Sequence, residues 1–150
     1  MTSETTLRLE RIIDASPEVV FRAWTTPDAL AVWYQDRPDD VVRVVELDVR
    51  VGGRYRVEFG PPGEAPYIES GVYLEVDPPK RLVMNETLDA PSGRPWSDTT
   101  VTVTLEAHDG KTRLVLVHEN FPSVEQRDAA SGGWPGFLDR LERLVVGGAT

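Results

Sequence analysis

Apolar residues recur along this chain in two rhythms, and the points where the rhythm changes mark its elements. Leu7, Leu9 and the Ile12–Ile13 pair sit among Arg8, Glu10 and Arg11, the alternation of a strand with one buried face. Ser16–Pro17–Glu18 then predicts a helix start, because serine caps the free N–H groups and proline at the first helical position gives up none that is needed. Val20, Phe21 and Trp24 form its apolar stripe. Thr26–Pro27–Asp28 repeats the cap-and-proline device, so the first helix should stop near Thr25 and a second should carry Leu30, Trp33 and Tyr34.

From Val41 to Phe121 the period is two, punctuated by Gly52–Gly53, the Pro61–Pro66 stretch, Asp77–Pro78–Pro79, Asp89–Pro91–Gly93 and Asp109–Gly110. This predicts antiparallel strands near 42–50, 53–60, 67–76, 81–88, 99–107 and 112–120, seven with the first. Val101, Val103 and Leu105 should be buried while Thr100, Thr102 and Thr104 face water, and Tyr55, Val57 and Phe59 alternate with Arg54, Arg56 and Glu58 in the same way. Helical spacing returns between Ser123 and Val146, with Trp134, Phe137, Leu138, Leu141, Leu144 and Val145 on one face. Gly132, Gly133 and Pro135 weaken that helix, and a break or kink is expected between about 131 and 135.

The order strand, two helices, six strands, long helix describes an α+β domain: an antiparallel sheet with its helices on one face. A strongly curved sheet of this kind can grip the last helix, and the space between them becomes an apolar pocket. No repeat, linker or low-complexity tract divides residues 1–150, so a single domain is expected.

The helix entry at residues 16–25 (SPEVVFRAWT), together with this order, resembles the START-like superfamily, also called SRPBCC or Bet v 1-like, whose helix-grip fold wraps a curved seven-stranded antiparallel sheet around a long C-terminal helix, with two short helices after the first strand. Residues 48–53 (DVRVGG), 71–79 (GVYLEVDPP), 118–121 (HENF) and Gly133–Trp134 followed by Leu138 and Leu141 are similar to its branch containing the C-terminal domain of the Hsp90 ATPase activator. The resemblance covers about residues 7–146 and implies a central cavity for lipids, polyketides or aromatic metabolites, with cyclisation or hydrolysis in some members. The activator itself has an additional N-terminal domain that these 150 residues lack, so a chaperone partner is the less favoured expectation.

Composition narrows the chemistry. A formal charge of −9 removes the main electrostatic term of nucleic-acid binding. Without cysteine there is no disulfide, thiol nucleophile or zinc knuckle, and a reducing cytoplasm is the natural compartment. The polar N-terminus, Met1 to Leu9, has no signal-like run, and no stretch approaches the ~20 apolar residues that span a bilayer. Neither metal nor other cofactor is expected: His108 and His118 are the only histidines, no His-x-x-x-His pair exists, and the acidic residues lack calcium-loop spacing. Ser70 and Ser92 lie in no strand–turn–helix setting that would make a nucleophile of either.

If Leu82 and Met84 face inward, period two carries Glu86 to the same face, and Leu114 and Leu116 likewise carry His118. A Glu86–His118 pair could work as an acid/base couple in a cyclase or hydrolase; equally, each could be a structural group at a strand end. The expected lining of the pocket is Trp33, Tyr55, Phe59, Met84, Glu86, His118, Trp134 and Phe137, and a hydrophobic or amphipathic small molecule is the expected partner. Trp96, in the long loop 89–98, should act as a lid over the cavity mouth or pack on a partner chain. Pairing with a second copy of the chain is left open.

Overall fold

The computed structural model describes residues 4–35, 37–90 and 95–146. In chain order the elements are β1 (Leu7–Ile13), α1 (Pro17–Thr25), α2 (Pro27–Trp33), β2 (Val41–Leu47), β3 (Arg54–Gly60), β4 (Tyr67–Asp77), β5 (Arg81–Asp89), β6 (Trp96–His108), β7 (Lys111–Glu119) and α3 (Val124–Val146). The seven strands form one antiparallel sheet in the order β1-β7-β6-β5-β4-β3-β2. α3 meets both flanks of that order. Arg11 of β1 bonds Asp139 at 2.8 Å and the Pro135 carbonyl at 3.3 Å, while Phe137 packs edge-on to Phe59 of β3 at 5.6 Å. One helix can touch strands so far apart only if the sheet bends around it, which is the helix-grip arrangement expected from the sequence.

Local chemistry explains most boundaries. Ser16 accepts from the Val19 N–H and caps α1. Asp109 and Gly110 both have positive φ, the requirement of a two-residue turn whose twist matches its strands, and they close the β6–β7 hairpin at His108 and Lys111. Val101, Val103 and Leu105 are buried and the intervening threonines half-exposed, as their alternation requires.

Three expectations need correction. Thr26 does not cap α2; its hydroxyl donates backwards to the Arg22 carbonyl at 2.9 Å, completing the end of α1 instead. Of the break or kink expected between about 131 and 135, the break does not occur: α3 is one helix with Pro135 inside it. The ring leaves the Ser131 carbonyl without its helical N–H, but buried Trp134, Leu138, Leu141 and Val145 anchor the segments on both sides, so tertiary packing overrides propensity. β6 begins at Trp96, three residues earlier than its threonine pattern suggested, because Trp96 pairs with Leu88 across a register shift in β5. The Pro91–Gly93 turn and Ser92 lie outside the described residues.

Gly71 sets the approach of β4 to β5. A Cβ there would stand 1.8 Å from the Asn85 carbonyl oxygen and 3.0 Å from the Tyr55 ring, whose hydroxyl donates to that same oxygen at 2.9 Å. Gly71→Ala is therefore expected to pry the two strands apart and to cost more than about 2 kcal/mol of stability. Urea unfolding checks this, with the midpoint falling at unchanged slope; an unshifted midpoint would show that the strands have slack.

Candidate functional site

Between the sheet and α3 lies a cavity of about 350 Å³. Phe59 (β3), Tyr67 and Glu69 (β4), Glu86 and Leu88 (β5), and Trp96 (β6) supply its sheet wall. Tyr34, the residue that ends α2, closes one side, and Ala129, Ala130, Gly132, Gly133, Trp134 and Phe137 of α3 form the opposite wall, with Ala90 at the rim. Tyr34, Phe59, Phe137 and Tyr67 make a ring cluster: Tyr34 stands edge-on to Phe137 at 4.9 Å, and Phe59 stacks on its cross-strand partner Tyr67 at 5.3 Å.

Strand register explains the polar patch on the sheet wall. Glu69 is opposite Leu88, and period two puts Leu88 and Glu86 on one face, so the two glutamates are diagonal neighbours across the β4–β5 pair. Both are buried, at 7% and 2% exposure, and they hydrogen-bond each other. Glu86 is also opposite Thr99 of β6, while Val101, two residues on, is opposite His118 of β7. Side chains from three strands therefore form one row.

The bonds along that row have a direction. Trp134 Nε1 has only a proton to give, and it gives it to His118 Nδ1 at 3.1 Å. Nδ1 is then the acceptor and the ring proton sits on Nε2, which faces Glu86 Oε1 at 3.1 Å and Thr99 Oγ1 at 2.9 Å. Thr99 in turn donates to the Glu86 main-chain oxygen at 2.8 Å, and Trp96 Nε1 donates to Glu86 Oε1 at 2.7 Å. On the other side the Tyr34 hydroxyl donates to Glu69 Oε2. N–H and O–H groups from three strands, β4, β6 and β7, thus converge on Glu86.

Electrostatics separates the two carboxyls. Burial drives the Glu69 carboxyl well above the ordinary glutamate range, and the neighbouring Glu86 charge drives it further, outweighing the Tyr34 hydrogen bond. Burial acts on Glu86 in the same sense, but the electrostatic attraction of the His118 ring and the hydrogen bonds from His118, Glu69 and Trp96 outweigh it and hold that carboxyl below its ordinary value. The pair therefore carries one proton, on Glu69, and one charge, on Glu86. Tyr34 and Tyr55 keep their protons, because burial first, and then the negative charge of the glutamate pair, push both phenols upward.

Of the residues proposed from sequence, Phe59, Glu86, Trp134 and Phe137 line the cavity. His118 is fully buried behind Glu86; in a Glu86–His118 couple only Glu86 could touch a guest. Trp33 is sealed in the core, its indole N–H on the Ala23 carbonyl at 2.8 Å and its ring edge-on to Trp24. Tyr55 and Met84 are buried on the same face of the sheet but outside the lining. Trp96, expected as a lid or as a contact with a partner chain, is a strand residue in the wall. Sequence reasoning missed Glu69 and Tyr34. The phase of β4 held a signal for Glu69, since buried Tyr73 lies four residues on and shares its face; Tyr34 was placed with Leu30 and Trp33 on the second helix, but its bond to Glu69 spans two distant elements and no local pattern marks it. Among the described residues, no group of three or more His, Asp or Glu could hold a metal, and no helix is long and apolar enough to cross a membrane.

Comparison with known proteins agrees with this architecture. The family model described as Activator of Hsp90 ATPase homolog 1-like protein matches residues 14–146. The crystal structure of protein CV1439 from Chromobacterium violaceum is 34% identical, with a TM-score of 0.82 over 94% of this chain and 97% of that one. The solution structure of the AHSA1-like protein from Aeromonas hydrophila is 25% identical, with a TM-score of 0.81 over 96% and 94%. No curated protein matches.

The protonation pattern has a measurable consequence. The folded state holds a proton on Glu69 that the unfolded chain releases above the ordinary glutamate pKa. Stability must therefore fall as pH rises through the window from there to the folded-state pKa of Glu69, by up to about 1.4 kcal/mol per pH unit. Glu69→Gln, which keeps a neutral donor in place, removes that dependence. Melting curves between about pH 5 and about pH 8 should show wild type losing ground to the variant steadily as pH rises; parallel profiles would mean that Glu69 is ionised in the folded protein.

Proposed function

This chain belongs to the Activator of Hsp90 ATPase homolog 1-like family, and on that footing we propose that it binds a hydrophobic or amphipathic small molecule in the cavity between its sheet and α3. The observation that carries the proposal is the glycine pair in the α3 wall. Gly132 and Gly133 stand inside a long helix, where each costs up to about 1 kcal/mol relative to alanine. Close packing does not require them, since a Cβ at either position would meet nothing within 4 Å. Half-buried Gly133 leaves that space open at the expense of helix stability, beside rings from four other elements, while Gly132 is exposed.

The size of the space narrows the guest. About 350 Å³ lies at the small end of ligand pockets, which run from ~300 to ~1,000 Å³. A compact aromatic metabolite fits this volume, and a two-chain lipid does not. Aromatic walls supply apolar area with few rotatable bonds, so a flat guest loses little entropy on binding.

Two variants at one position separate stability from binding. Gly133→Ala should stabilise the protein by about 0.5–1 kcal/mol in thermal or urea unfolding, because the helix gains and nothing clashes. Gly133→Phe should fill the cavity. The fluorescence of 1-aminoanthracene, an uncharged polycyclic probe, should rise with wild type and with Gly133→Ala but not with Gly133→Phe. Equal enhancement by all three would place the probe elsewhere and remove the cavity from consideration.

A further inference from the structure

A donor and acceptor inventory of the cavity says more about its guest, on the premise that the cavity binds one. The Tyr34, Trp96 and Trp134 donors are committed to Glu69, Glu86 and His118 respectively. Glu69 and Glu86 face the cavity with more acceptor positions than those donors fill, since each carboxyl offers about four lone-pair sites. Among the described lining residues there is no Lys or Arg to neutralise them. Apart from the Tyr67 hydroxyl, polarity among the described lining residues is therefore one-sided. Around it stand the electron-rich faces of aromatic rings, and the protein as a whole carries a formal charge of −9, which draws cations toward it.

We propose that the guest is an aromatic or other apolar molecule carrying a protonated amine, whose ammonium group sits against the Glu69–Glu86 pair with its apolar body between the ring cluster and α3. The ammonium takes over the role of the shared proton. Glu69 gives up that proton to solvent as the cation arrives, the guest supplies the hydrogen bonds, and two carboxylates then face one cation, so the net charge of the site stays at −1. Binding therefore releases one proton and strengthens as pH rises. Around the pair stand the phenols of Tyr34 at the end of α2, Tyr55 of β3 and Tyr73 of β4 and the His118 ring of β7; Tyr67 of β4 adds a further phenol to the cavity wall, and α3 places no titratable group there. The three phenols are pushed upward by burial first, so they stay neutral, and His118 Nδ1 is occupied by the Trp134 indole. Glu69 is left as the group that answers to the cation.

The experiment compares three molecules of nearly the same shape by calorimetry: tryptamine, tryptophol and indole-3-acetate, which carry a cation, a hydroxyl and an anion. Tryptamine should bind at least about tenfold tighter than tryptophol, with indole-3-acetate weakest. Titration in two buffers of different ionisation enthalpy should count close to one proton released. Glu69→Gln should still bind tryptamine but release no proton. The double variant Glu69→Gln/Glu86→Gln should lose the preference for amine over alcohol while still folding and enhancing 1-aminoanthracene fluorescence. Tryptophol or indole-3-acetate binding as tightly as tryptamine, no tryptamine binding, or no proton release would each overturn the proposal. Retained binding of the uncharged probe in those cases would leave the cavity itself as the binding site.

Discussion

A carboxylate at 2% exposure can exist in a protein interior only if other groups replace the water it has lost, and the arrangement around Glu86 follows from that requirement. An isolated buried charge would cost several kcal/mol, and a protein normally avoids it by protonating the group or by pairing it with a cation. Here Glu86 stays ionised opposite the His118 ring at 3.1 Å. Glu86 receives an indole N–H from Trp96, an imidazole N–H from His118 and a carboxyl proton from Glu69, while Thr99 satisfies its main-chain oxygen. Oriented side-chain donors on neighbouring strands solvate the charge. They are pre-oriented, so no reorganisation is needed when a guest arrives.

That solvation shell also holds the cavity open. Trp96 is fixed by its bond to Glu86, Trp134 by its bond to His118 and Tyr34 by its bond to Glu69, and all three rings are walls. An aromatic side chain without such a tether would be free to turn into the void and fill it. Each tether runs from the edge of a ring to a group on the sheet, so one polar network sets both the charge at the base of the pocket and the spacing of its sides. Stability and vacancy are linked here through the same few hydrogen bonds, with the glycines of α3 completing the space from the far wall.

The alternation of single strands was enough to place most of the sheet and to bring Glu86 and His118 to the inner face, because period two leaves only one free choice per strand. What single-strand patterns lack is the register between strands, and Glu69 became a partner of Glu86 through register alone. Trp96 was misplaced because a register shift in β5 carries pairing beyond the point where the threonine pattern stops. The helix was misjudged for the opposite reason: proline and two glycines carry strong local signals, yet the buried residues on either side of Pro135 are held by the sheet. Local chemistry marks where elements begin; it says little about contacts whose energy comes from distant parts of the chain.

Aromatic walls discriminate poorly among guests of similar size, since one methylene more or less in an apolar pocket is worth only about 1–3 kcal/mol. Shape alone would make this cavity tolerant. A buried acceptor is more selective, because a guest that covers it without donating leaves it unsolvated and bears that full cost, and a guest with its own negative charge adds repulsion. The neutral partner beside the anion sharpens the choice further. Glu69 can lose its proton only when a positive charge replaces it, so the pair itself changes state with the guest and a neutral donor gains less from it than a cation does. Selectivity in such a site rests on two carboxyls that cannot both ionise while the pocket is empty.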